Sequence, residues 1–380
     1  MVHTQIYTLK AVSIWSPYLK PSFDAIVVGG GYTGLHVALN IKRTRPSWKI
    51  AILEQLSEGA AASSRNAGFA CFGSPGEILD DLAARPTDEV VETLKKRFLG
   101  VEKLGEMSAI ESLHRGGYEV FTSAEEERFE KINSTLPYIN EVFEEALQIR
   151  KLFKIVSISK MNMAFQNEAF FNSYEFQLNP GLLHQYLVNK CVDAGIHFHR
   201  QTELLSWDSA DGDPELHTNR GKFNTGILAL CTNGFTKKIL PEIDVEPARA
   251  QVLLTTPLTG SIPIGNFHAD RGYYYFRNWQ GRILLGGGRQ LDMDAETTFS
   301  DATTEIIQNH LEDYLGTYIL PNRAYSIESR WAGTMGFGQG KKPMVINPEK
   351  NVYGAFAYGG MGVALAEQTA EELSNLIFDF

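Results

Sequence analysis

The sequence predicts an α/β protein: a doubly wound parallel sheet, interrupted by a discontinuous second α+β lobe on a mostly antiparallel sheet. Three observations predict it. Strand-like and helix-like stretches alternate at both ends of the chain. A charged, helix-periodic region from Pro86 to about Phe153 separates them, and the stretch from Val245 to Asn322 is rich in strand residues.

Asp24 to Val28 (DAIVV) reads as a short buried strand, the stretch after Thr33 as a helix ending near Pro46, and Lys49 to Glu54 (KIAILE) as the next strand. Ser123 followed by Glu126 reads as a capping box before a long amphipathic helix running through Leu152. Asn179-Pro180-Gly181 opens a helix through Ala194, with Ile196 to Arg200 and Ile227 to Cys231 as strands beyond it. Gln251 to Thr256, Gly272 to Arg277 and Arg282 to Leu285 read as antiparallel strands. Val352 to Ala357 is a last strand, Gly359 to Gly362 a turn, and Val363 to Ile377 a closing helix. The expected lobes are residues 1–85, 176–240 and 328–380 for the first, and 86–175 and 241–327 for the second. A chain of 380 residues suits two such units.

Composition narrows the function. The chain has 43% hydrophobic and 21% charged residues, which places it among soluble globular proteins, and no apolar run is long enough for a membrane helix. The segment before Phe23 lacks a secretory signal and reads as a packed arm. A formal charge of -10 argues against a general nucleic-acid binder, leaving a small-molecule partner. Cys71, Cys191 and Cys231 are scattered and the nine histidines dispersed, so neither a disulfide framework nor a metal site is expected; a reducing cytoplasm fits.

Gly29, Gly31 and Gly34 in Gly29-Gly30-Gly31-Tyr32-Thr33-Gly34 match a G-x-G-x-x-G fingerprint set between strand and helix. The glycines allow a tight turn, close approach of a pyrophosphate and close packing of helix on strand. Glu54 ends the second strand, where a carboxylate accepts ribose hydroxyls and repels a 2′-phosphate. This is a dinucleotide site that disfavours NADP, and the fingerprint by itself leaves NAD and FAD open.

Gly59-Ala60-Ala61-Ala62-Ser63-Ser64-Arg65-Asn66-Ala67-Gly68 resembles the Gly-x-Ala-Ser-x-Arg-Asn-x-Gly segment of the D-amino-acid oxidase superfamily of flavoproteins, which includes sarcosine, glycine and gamma-glutamylputrescine oxidases. Asn179-Pro180-Gly181-Leu182-Leu183, Thr202-Glu203-Leu204, Thr232-Asn233-Gly234, Pro247 to Val252, Tyr275 to Gly287, Arg330-Trp331-Ala332-Gly333 and Gly359-Gly360-Met361-Gly362 resemble further segments of that superfamily in the same order. The arm around Trp15 is most similar to the gamma-glutamylputrescine oxidase branch. The resemblance implies non-covalent FAD held by Tyr32, Thr33, Gln55, Ser63, Ser64, Arg65, Asn66, Ala67, Leu204, Thr232, Asn233, Gly234, Trp331, Gly333, Gly359, Gly360, Met361, Gly362 and Val363, besides the fingerprint glycines and Glu54.

It also implies oxidation of a C–N bond by hydride transfer to flavin N5, with O2 or another acceptor taking the electrons. Arg65 is then a candidate beside the ring, with phosphate or a nearby carboxylate as its other reading. Period two puts Tyr273, Tyr275 and Arg277 on one strand face, so Tyr273 and Tyr275 are candidates for a substrate roof or for plain packing. Arg289, just past Gly286-Gly287-Gly288, is a further candidate, otherwise a solvated strand-end arginine.

Three departures stand out. Where D-amino-acid and glycine oxidases carry a carboxylate-binding arginine after Trp-x-Gly, this chain continues Thr334-Met335-Gly336. Where sarcosine oxidases carry a lysine after the terminal glycines, it has Val363-Ala364-Leu365. Leu284 or its neighbours stand in place of the lysine that branch uses to activate oxygen, so oxidase and dehydrogenase stay open. Rival readings are an NAD-dependent dehydrogenase and a flavin-binding protein whose FAD is structural.

Overall fold

The computed structural model describes residues 21–57, 61–107, 113–114, 116–209 and 212–379; the arm around Trp15 and the pair Gly59-Ala60 lie outside them. Five parallel strands form the centre of the first sheet, in the order His197–Arg200, Ile50–Glu54, Ser22–Val28, Gly221–Leu230, Val352–Phe356. Met344–Glu349 runs antiparallel outside the last, and a hairpin of Leu204–Asp208 and Glu215–Thr218 branches from the start of Gly221–Leu230. The central strand is apolar from Ala25 to Val28 because both its faces are covered there: Ala25 and Val27 enter one core, Ile26 and Val28 another. Chain order reverses between Ser22–Val28 and Gly221–Leu230, and a crevice opens beyond the carboxyl ends of strands at such a reversal.

On one side, helices Tyr32–Thr44, Thr87–Glu106 and Gly362–Phe378 share the larger apolar core. Thr87–Glu106 crosses Gly362–Phe378 at Gly100, where an added Cβ would fall 1.7 Å from the Ala364 carbonyl oxygen. The crossing therefore demands glycine.

The second sheet has the order Ile327–Gly338, Val245–Thr255, Arg282–Gly287, Tyr274–Trp279, Asn266–Ala269, Gly117–Val120, Glu168–Asn172, Lys154–Ser157. Its pairs are antiparallel except Asn266–Ala269 with Gly117–Val120. Ile327–Gly338 pairs along Val245–Thr255, so it belongs to this sheet, although the expected boundary grouped it with the first lobe. Strand pairing outweighs nearness in sequence there.

Two local expectations shift. The capping box is formed by Thr122 and Glu125, one residue earlier than the Ser123–Glu126 reading, and the helix proper runs Glu126–Leu147. The strand expected from Gly272 begins at Tyr274, because Asp270 and Arg271 adopt positive φ and bend the chain into a turn that holds Tyr273.

Candidate active site

The glycine turn is held by backbone fit. Gly29 has φ of +110°, and a Cβ on it would sit 2.3 Å from the Cys231 carbonyl oxygen. A Cβ on Gly34 would sit 1.9 Å from the Gly29 oxygen. Only hydrogen fits at either place. Gly31 caps helix Tyr32–Thr44 without a side chain of its own, and the hydroxyl of Ser63 accepts the Tyr32 N–H at 3.0 Å. Glu54 accepts the N–H groups of Gly30 and Leu56, each at 2.7 Å. From behind, the His184 imidazole meets the Gly30 carbonyl at 2.8 Å, and the Tyr32 hydroxyl donates to the Pro180 carbonyl.

A cavity of about 370 Å³ opens over this turn. It runs from Glu54, Gln55 and Leu204, past Gly29, Gly31 and Ser63, to Thr232, Asn233 and Gly333. A helix N-terminus, a carboxylate and glycines without Cβ atoms therefore line one continuous channel.

Beyond it lies an apolar chamber filled by its own packed side chains. Val252, Leu254, Tyr275, Leu284 and Trp331 come from the antiparallel sheet, and Ala67, Phe69, Cys71 and Met361 face them. Tyr275 lies across Gly286, where any Cβ would meet the ring at 2.4 Å. Phe69 meets the Tyr275 ring edge-on at 5.8 Å, and burial pushes the Tyr275 hydroxyl up to about 12. The Trp331 indole N–H donates to the Arg65 carbonyl at 2.8 Å. Burial, reinforced by Glu175 and Glu77, holds the Cys71 thiol well above its ordinary pKa, and its sulfur lies 3.9 Å from that of Met361.

Residues 24–376 match the family described as FAD dependent oxidoreductase. This chain belongs to that family. A probable oxidoreductase, OrdL, from Rhizobium meliloti (strain 1021) is 24% identical over 376 residues, covering 93% of this chain and 82% of that protein. Glycine oxidase from Geobacillus kaustophilus superposes with a TM-score of 0.74 at 16% identity, covering 95% of each chain. L-proline dehydrogenase from P.horikoshii gives a TM-score of 0.73 at 18% identity over 95% of this chain and 94% of that one. These likenesses show the fold.

The cofactor of this FAD-dependent oxidoreductase fits the residues present. The Ser63 hydroxyl occupies the helix N-terminus where an anion would bind, and the Glu54 carboxylate turns onto backbone N–H groups beside the channel. With the cofactor bound, phosphate and ribose oxygens would compete for these partners. The NAD-dependent alternative is set aside by the family.

The remaining candidates divide by position. Asn66 bonds the carbonyls of Ala62 and Ser63 and accepts the Gly68 N–H, so its side chain shapes the turn. Ser64 caps the Ala61 carbonyl, while Thr33 is buried in the helix. Arg65 bonds Asp301 at 2.8 Å and the Ala332 carbonyl at 3.2 Å. The Asn233 side chain, at φ +44°, accepts the Ala357 N–H, and Gly234 packs against the Met335 carbonyl. Gly359 takes φ +55° and donates to Gly336, Gly360 is exposed, and Met361 caps the helix that starts with Gly362 and Val363. Tyr273 is 40% exposed in its turn and stands outside the chamber, whereas Tyr275 is in its wall. Arg289 lies over the Phe337 ring at 4.7 Å.

Several residues at the site escape a linear reading. His184 braces the glycine turn from 154 positions away. Lys238 lies beside the stacked rings of Phe235 and Phe299, all three at the channel wall. Arg277, 1% exposed, donates to the carbonyls of Gly68 and Leu178, fastening the segment that ends in Gly68 to the sheet. An arginine on the same strand face as Tyr275 was the available signal for that last role.

Proposed function

We propose that the protein oxidises the C–N bond of a small amine or amino acid in the apolar chamber, with FAD held non-covalently. When bound, the flavin accepts the hydride from the carbon bearing nitrogen. The channel residues would hold it: Gly29, Gly31 and Ser63 the diphosphate, Glu54 the ribose, and Thr232 to Gly234 the turn beside them.

The observation that carries the reading is the chemistry of the chamber wall. Among the described residues that line it, the ionisable groups are the hydroxyl of Tyr275, pushed up to about 12, and the Cys71 thiol, also raised. His268, beside Phe69, is bonded to Glu175 at 2.9 Å and raised to about 9, so it is a cation at neutral pH. An alcohol needs a base to remove its hydroxyl proton as hydride leaves. A neutral amine supplies its own lone pair and becomes an imine, which water hydrolyses to a carbonyl compound and an amine. Aromatic walls at Phe69, Tyr275 and Trp331 exclude water and attract an incoming ammonium.

Leu284 puts an apolar side chain in the wall, so reduced flavin lacks a cation there to draw in oxygen; we propose an acceptor other than O2. The two-lobe division and a reducing, cytoplasmic setting belong to the same proposal, supported by three buried free cysteines. Mixing holoenzyme anaerobically with amines, N-methyl amino acids and D-amino acids tests the reading. At least one class should bleach the flavin, and bleaching by none would return FAD to a structural role.

A further inference from the structure

The cofactor channel runs between two walls. One is the short helix Ala62–Arg65 with Ala61 before it, and the other is made by the turns Asn233–Phe235 and Thr236–Ile239. Residues 297–302, in the connection between Met293–Glu296 and Glu305–Tyr314, reach from one wall to the other. Asp301 pairs with Arg65 at 2.8 Å on the first. Phe299 stacks on Phe235 at 5.9 Å on the second, with the Lys238 ammonium 4.9 Å from its ring. Phe299 and Asp301 both line the cavity, so the segment bridges the channel.

The bridge is held unequally. At its roots, Arg249 is 5% exposed, pairs with Glu296 at 2.7 Å and donates to the carbonyls of Ala295 and Ala302. Gln251, also buried in Val245–Thr255, bonds Glu296 and both the N–H and the hydroxyl of Thr304. Buried, charge-assisted bonds of this kind are strong and rigid. At the tip, the Asp301 side chain is 66% exposed and the Phe299 ring half-buried. An exposed ion pair and a single aromatic stack each contribute little. The Ser300 and Ala302 N–H groups donate to the hydroxyls of Thr298 and Ser300, so the tip folds on its own side chains. Firm roots and a weakly held tip are the anatomy of a lid.

We propose that residues 297–302 form a strap that opens and closes over the cofactor channel, and that its two tip contacts set how fast FAD is taken up and released. A contact that breaks before passage in either direction slows uptake and release by the same factor, and leaves the dissociation constant nearly unchanged. A contact made with bound FAD acts otherwise: its loss speeds release alone.

The test follows flavin fluorescence in both directions. Release is measured on holoenzyme diluted into an excess of a second apoflavoprotein that traps FAD, and uptake on mixing FAD with apoprotein. Asp301→Asn should speed both rates about threefold and Phe299→Ala about tenfold, while the dissociation constant shifts by less than about twofold. Faster release with unchanged uptake, and affinity weakened to match, would make Phe299 and Asp301 ordinary cofactor contacts and overturn the strap. Unchanged rates in both variants would overturn it too. Asp301 is exposed enough for its Asn variant to keep the fold, which an unchanged melting temperature of the apoprotein checks. Should Phe299→Ala fail to fold, Asp301→Asn decides. Both rates concern FAD and not the molecule oxidised, so the strap and the amine-oxidising reading stand or fall separately.

Discussion

The cofactor channel and the apolar chamber adjoin each other and are built on opposite principles. The channel is made of backbone: N–H groups at a helix N-terminus, glycines pressed against carbonyls at 2.3 Å and 1.9 Å from a would-be Cβ, and one carboxylate. The chamber is made of side chains drawn from six separate segments, held by tryptophan and arginine bonds to carbonyls. A backbone site is rigid and tolerates little change in geometry. A side-chain site can change its specificity while the cofactor stays where it is, which suits a fold that supports different substrates.

The largest break in that contrast is expected at Arg277, where the chamber is tied to the segment that ends in Gly68. Arg277→Met removes two charge-assisted bonds and leaves the Leu178 carbonyl buried without a donor, while the Gly68 carbonyl keeps the Leu178 N–H, at a cost of about 4 kcal/mol. Chemical denaturation should show this loss, and FAD content should fall with it. The channel should fail through geometry instead: Gly34→Ala changes no polar group, yet its methyl meets the Gly29 oxygen. A cost of about 3 kcal/mol, or more than a hundredfold in FAD affinity, is expected by fluorescence titration.

Titration sharpens the comparison further, because the ionisable network lies behind the chamber. His268 is buried against Glu175, with Glu119 and Glu77 also facing it; burial opposes its charge, but these carboxylates raise it from 6.5 to about 9. A raised histidine adds stability that is complete below pH 6.5 and is lost as pH rises through about 9. Glu119, raised by burial to about 7, acts with the same sign at lower pH. Thermal stability should therefore fall between pH 6.5 and 9, by up to about 3 kcal/mol for His268. His268→Gln should flatten that slope.

The smallest effect is expected at Ala357, a non-glycine residue at φ +68° where the channel meets the terminal turn. Ala357→Gly should relieve about 1 kcal/mol of left-handed strain in the native state, partly offset by greater freedom of the unfolded chain. A rise in melting temperature of a few degrees or less would fit, and a marked fall would not.

The channel was legible in the sequence because its chemistry is local. Gly29, Gly31 and Gly34 lie within one turn and Glu54 ends the adjacent strand, so spacing alone placed them together. Three of the parallel strands were legible from the apolar runs Ala25–Val28, Ile50–Leu53 and Ile227–Leu230. The chamber was not, since Phe69, Val252, Leu284 and Met361 meet only through sheet register and the packing of two sheets. Alternation correctly put Tyr275 and Arg277 on one face, but two left-handed residues before the strand removed Tyr273 from it. Arg65 and Arg289 looked alike as lone arginines near glycines. Only distant partners, Asp301 for one and the Phe337 ring for the other, distinguish them.

The most direct measurement compares an amino acid that reduces the enzyme with the hydroxy acid of the same skeleton, in anaerobic single-turnover mixing. The two share a carboxylate and differ in nitrogen against oxygen. The account predicts that the amino acid bleaches the flavin while the hydroxy acid binds without reducing it; equal or faster bleaching by the hydroxy acid would contradict it.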